Sequence, residues 1–75
     1  METAADTYAE IIKIGENIKN RREEIGMPQV QLAADVGISQ QALWRAETGH
    51  RLPSLIVMMK IADALGCTLN DIAYN

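Results

Sequence analysis

The chain is expected to fold as an all-α, compact five-helix bundle. Three observations predict this. Apolar residues recur at helical spacing with no alternating strand pattern. Gly and Pro divide the chain into pieces of helix length. Serines stand at two of the restarts, where an N-cap is needed. The 75 residues suffice for a single domain, 1–75, with one small core. A hydrophobic share of 48% is too high for a disordered chain.

Residues 1–6 read as a flexible tail. From Thr7 to Ile25 the positions Ile11, Ile14 or Gly15, Ile18, Arg22 and Ile25 fall on one helical face, and Gly26 supplies a stop. Gly15 inside this stretch costs roughly 1 kcal/mol against Ala. It predicts either a bend there or a separate turn over 7–13. Pro28 opens a second helix, Gln29 to Val36, ended by Gly37. Ser39 caps a third from Gln40 to about Thr48, ended by Gly49. After the loop "HRLP", Ser54 caps a fourth helix running to Leu65, stopped by Gly66, with Leu55, Met58, Ile61, Ala62 and Leu65 as its inward stripe. A last short helix begins near Leu69.

Composition excludes several classes of function. No apolar run is long enough to cross a membrane. The opening METAAD is acidic and small, so no signal peptide is expected. One cysteine forms no internal disulfide, which predicts a cytoplasmic setting, and Cys67 in "LGCTL" reads as a small core side chain. One His and one Cys rule out a zinc site of the usual ligand count, so no metal or other cofactor is expected. No catalytic set converges either, since Ser39 and Ser54 read as caps and His50 as a loop residue. The net charge of −3 comes from Glu2, Asp6 and Glu10; from Ile11 onward seven basic residues balance seven acidic ones. A neutral domain can bind DNA through a local basic face, so net charge does not decide the case.

The informative stretch is "LAADVGISQQALWRAETGH", residues 32–50. Only Gly37, Ile38 and Ser39 separate helices two and three. So short a link needs a residue at ease in the left-handed backbone region, which Gly37 is, and a small residue such as Ala33 where the helices approach. Leu32, Val36, Ile38, Leu43 and Ala46 then face inward together. This spacing is the helix-turn-helix pattern, over about 29–48, with the start of its second helix exposed.

On "IGENIKNRREEIGMPQVQLAADVGIS", "E-x-G-H-R-x-P-S-L" and "KIADALGCTLNDI", the chain resembles the XRE family of lambdoid-phage repressors and Cro proteins over about Ile14 to Ala73. The resemblance implies a lambda repressor-like DNA-binding fold and a bacterial or phage origin. It implies that Gln29 holds a phosphate, that Gln40, Gln41, Trp44 and Arg45 face the bases, and that Thr48, Gly49, His50 and Arg51 touch the DNA backbone. It further implies a structural ion pair between Arg22 and Glu47. The chain departs from the family at Trp44, usually a small polar residue, and at Ala46, often a large apolar one.

The residues carry suitable chemistry. The carboxamides of Gln40 and Gln41 pair a donor with an acceptor, matching adenine in the major groove at ~1–3 kcal/mol per bidentate contact. Arg45 suits either a guanine edge or a phosphate. Trp44 either faces DNA, offering apolar contact to a thymine methyl or sugar, or covers the space left by Ala46. Ile56 and Met59 lie off the inward stripe and are the first candidates for a dimer contact; Tyr8, Ile11 and Ile12 are the second. The expected function is sequence-specific binding of double-stranded DNA as a homodimer, repressing transcription by occupancy, with no small-molecule ligand. The alternative is a protein-interaction module, or an antitoxin-like partner protein, using the same helix face or the Ile56 and Met59 patch.

Overall fold

The computed structural model describes residues 4–74, which contain five α-helices and no strand. They are α1 (Ala4–Glu24), α2 (Gln29–Val36), α3 (Gln40–Glu47), α4 (Leu55–Ala64) and α5 (Leu69–Ala73). Helix α1 begins inside the stretch expected as a tail, because Ala4 and Ala5 are strong helix formers; residues 1–3 lie outside the described residues. It also runs without interruption through Gly15, where a bend or a separate turn was the expectation. The glycine serves packing, as described below.

Each helix contributes one fully buried side chain to the core: Ile18, Leu32, Leu43, Ile61 and Ile72. Burial of such a side chain contributes ~1.5–3 kcal/mol. Helix α1 packs on α3 and α5, α2 packs on α3 and α4, and α4 closes against α5. Cys67 is partly buried against this core. The carboxylate of Asp71 accepts from the Thr68 amide at 2.9 Å, and the Thr68 hydroxyl accepts from the Asp71 amide at 3.2 Å, a reciprocal cap on α5. Hydrogen bonding from Thr68 holds the Asp71 carboxyl below the usual carboxylate range, the Thr68 backbone amide being the main cause. The cap is therefore complete above that range and weakens as pH falls through the lowered value.

Two expectations about inward faces are corrected. Ile25 is half-exposed, because α1 ends at Glu24 and the chain turns at Gly26. The amide of Met27 donates back to the Arg22 carbonyl at 3.0 Å, and Met27 takes the place on the core that the helical phase assigned to Ile25. Leu55 is exposed as well, while Val57 packs on the core. The first turn of α4 overhangs the core, so a residue in phase with Met58 and Ile61 still meets solvent there.

The link between α2 and α3 follows the expected path. Gly37 sits at φ 80°, ψ 30°, and the amides of Gly37 and Ile38 donate to the Ala33 carbonyl at 2.9 and 3.0 Å. A side chain at Gly37 would meet nothing within 4 Å, so any penalty there is conformational alone. Gly37→Val is expected to cost roughly 1–2 kcal/mol, the usual cost of a left-handed non-glycine residue. In a domain of this size that lowers the melting temperature by about 4–16 °C. A circular-dichroism melt matching the parent's would show that the turn tolerates a different backbone.

Candidate nucleic-acid interface

The candidate surface is built from the starts of α2 and α3 and the loop after α3. Ser39, in extended backbone, accepts from the Ala42 amide at 3.0 Å and so starts α3. Leu43 and Ala46 are buried, and this turns Gln40, Gln41, Trp44 and Arg45 outward. Helix α2 starts differently, because Pro28 provides no side-chain cap. Its first-turn amides thus lack a capping side chain, and the start of a helix carries a polarity suited to an anion. Gln29, Gln40, Gln41 and Trp44 line one shallow depression. Arg45, the residue after Trp44 on α3, lies outside that depression.

Below this surface lies a buried charged network. Glu47, 4% exposed, accepts from Arg22 Nε at 2.7 Å and from Nη2 at 2.9 Å, a two-pronged contact. Arg22, 8% exposed, also donates from Nη1 to the Met27 carbonyl at 2.8 Å. The hydrogen bonds from Arg22 to Glu47 raise the guanidinium pKa further above its already high value, against the effect of burial. The remaining contact was not legible in the sequence: Gln29 Nε2 donates to Glu47 Oε1 at 2.9 Å. One carboxylate thus orients both the helix-one arginine and the side chain at the start of α2. It faces a compensating guanidinium, so it does not leave an uncompensated negative charge behind the surface.

The backbone geometry explains how α3 is seated. A Cβ at Gly15 would lie 2.3 Å from the Ala46 carbonyl oxygen and 2.8 Å from that of Glu47. The α1 backbone therefore approaches the end of α3 as closely as only glycine allows. A glycine placed mid-helix despite its cost was the signal in the sequence. Trp44 does not fill the space beside Ala46. It is 48% exposed and stacks on His50, with ring centroids 5.3 Å apart and planes 22° from parallel.

The loop carries fewer outward donors than its sequence suggests. The amides of Thr48, Gly49, His50 and Arg51 all donate to carbonyls of α3. The Thr48 hydroxyl donates to the Trp44 carbonyl at 2.7 Å. Arg51 lines a second groove with Ala42, Ala46, Leu52 and Val57, on the α4 side of α3. Ile56 and Met59 are exposed on α4, and Leu55 and the preceding loop's Leu52 are exposed as well. Ile11 is partly buried, and Ile12 lies against Gly49, so that second candidate surface is already partly engaged.

Among the described residues, no group of acidic, His and Cys side chains is placed to hold a metal ion, and no helix is long and apolar enough to cross a membrane.

A family profile described as Helix-turn-helix matches residues 18–72. A cryptic phage CTXphi transcriptional repressor, RstR, of Vibrio cholerae serotype O1 is 36% identical over 61 residues, covering 81% of this chain and 54% of the repressor. The chain thus spans about half the length of that relative. The restriction-modification controller protein C.AhdI from Aeromonas hydrophila superposes with a TM-score of 0.83 at 29% identity, over 87% of this chain and 98% of that one. The P22 c2 repressor protein, solved in complex with synthetic operator 9T, gives a TM-score of 0.77 at 26% identity, over 81% and 92% of the two chains.

Proposed function

The chain belongs to the helix-turn-helix family, and we propose that it binds operator DNA through α3 and represses transcription by occupying the site. The observation that carries this reading is the shared depression of Gln29, Gln40, Gln41 and Trp44, flanked by the uncapped start of α2. It presents paired amides for base edges beside helix amides for a phosphate. Gln40 and Gln41 read bases, and Arg45 reaches a guanine edge or a phosphate. Gln29, held from behind by Glu47, sets the register on the DNA backbone. In the loop, the Arg51 side chain supplies the backbone contact, because the loop amides and the Thr48 hydroxyl already serve α3 and the His50 ring lies on Trp44. Occupancy requires no chemistry, so the protein acts without catalysis or a cofactor.

One short reading helix and few basic groups bind weakly at physiological salt, which favours two copies on one operator. The exposed Leu55, Ile56 and Met59 surface is the proposed contact, with half-sites one helical turn apart, about 34 Å. Selection of bound sites from a random duplex pool tests both proposals. The expected product is an inverted repeat bound in a salt-sensitive manner. Gln40→Ala and Gln41→Ala should each lose ~1–3 kcal/mol of discrimination at defined base pairs while keeping non-specific affinity. Met59→Asp should bind single half-sites but lose cooperativity. Full sequence preference in both glutamine variants would refute the assigned reading face. A non-repetitive site bound by one copy would refute the dimer. Salt-insensitive capture of a protein with no duplex preference would favour an interaction module.

A further inference from the structure

The turn that ends α3 repeats the turns that end α1, α2 and α4, with a different residue at the same place. In all four, the amide following a glycine donates to the carbonyl five residues back. The pairs are Met27 to Arg22, Ile38 to Ala33, His50 to Arg45 and Cys67 to Ala62, at 2.9–3.0 Å. Such a turn brings that residue back over the last turn of its own helix, where an apolar contact usually forms. Met27, Ile38 and Cys67 use it to pack on the core. His50 is exposed and uses it to lie on the Trp44 ring.

The ring of His50 has a defined proton arrangement. Thr48 Oγ1 is 2.7 Å from the Trp44 carbonyl, which can only accept, so the hydroxyl proton lies on that bond. The same oxygen is 2.7 Å from His50 Nδ1, so Nδ1 carries a proton and donates to it. The backbone of Trp44 thus fixes Thr48, Thr48 fixes the imidazole, and the imidazole lies against the indole. We propose that His50 is a positioning residue for recognition: with Thr48 it fixes the Trp44 indole on the reading face. Discrimination at the base pairs under Trp44 then depends on the stack. An exposed indole would otherwise lose rotamer freedom when DNA binds, and a stack formed beforehand removes that cost.

The inference rests on the DNA-reading role proposed above, and its first test is independent of DNA. The chain has one tryptophan and one histidine, so tryptophan emission reports this one ring. Time-resolved fluorescence anisotropy of the full chain should show at least a twofold larger amplitude of fast indole motion in His50→Ala than in the parent. His50→Phe, which keeps a stacking ring, should return it close to the parent value. Binding competition between the selected site and its single-base-pair variants supplies the second test. His50→Ala should lose about 3- to 10-fold discrimination at the base pairs affected by Trp44→Ala, in line with the strength of an aromatic pair. The double variant should be no worse than Trp44→Ala alone, and His50→Phe should recover most of the loss. Unchanged indole motion in His50→Ala would overturn the proposal, as would losses that add across the double variant. Absence of any duplex preference in the parent would overturn the reading role of α3 and this dependence with it. The anisotropy measurement would still decide whether His50 holds the ring.

Discussion

Glu47→Ala is expected to cost the domain ~3–5 kcal/mol, because it leaves the buried Arg22 guanidinium without its partner. Arg22 would keep its bond to the Met27 carbonyl but lose the two-pronged contact at 2.7 and 2.9 Å. Gln29 would lose the acceptor that holds it at the start of α2. A chain of this size has a total stability of roughly 4–11 kcal/mol, so the variant should lose between about a quarter of it and all of it. Urea titration measures the loss directly. Glu47→Gln, which keeps the shape but not the charge, should fall between parent and Glu47→Ala, and should alter stability more than base preference. The double replacement Arg22→Met with Glu47→Leu should be less harmful than Glu47→Ala, because no buried charge remains unpaired. A loss below about 1 kcal/mol in Glu47→Ala, or no coupling in the double-mutant cycle, would show that the pair behaves as a surface contact.

Gly15→Ala is expected to destabilise the domain although alanine is the better helix former. The new Cβ would sit 2.3 Å from one backbone oxygen and 2.8 Å from another, and neither can rotate away. Relief requires α1 and the end of α3 to separate. Forcing extra atoms into a closed contact costs ~1–3 kcal/mol or more, and here it meets backbone on both sides, so the upper end applies. Alanine recovers ~1 kcal/mol through helix propensity. The net expectation is a loss of about 2 kcal/mol, or roughly 8–16 °C in melting temperature. Because the displaced carbonyls belong to Ala46 and Glu47, the variant should also bind DNA less tightly at temperatures where it remains folded. A melt equal to or above the parent's would show that α1 and α3 have room between them.

These two positions differ in how they could be read. The pairing of Arg22 with Glu47 came from resemblance to the XRE family, since 25 residues separate the two and no local pattern links them. The cost of Gly15 was visible in the sequence, but the reason for tolerating it was a carbonyl more than 30 residues away. The same division holds at the reading surface. That Gln40 and Gln41 stand exposed at the start of α3 follows from Ser39 as a cap and Leu43 and Ala46 as buried positions. That Gln29 joins them in one depression required the relative placement of two helices.

By itself, the sequence determined the features set by interactions within about six residues. These are the glycine stops, the serine caps, the tight link at Gly37 and the alternation of buried and exposed faces along α2 and α3. Each depends on backbone torsions and hydrogen bonds that a residue makes with its own neighbours, so composition at fixed spacing suffices. Only the tertiary structure decided the rest. It set Met27 on the core in place of Ile25, left Leu55 outside where α4 overhangs, brought Gly15 against α3, and laid His50 on Trp44. Helical phase states which way a side chain points. Whether anything stands there to meet it depends on where each helix ends and which helix lies opposite, and those are properties of the packed whole.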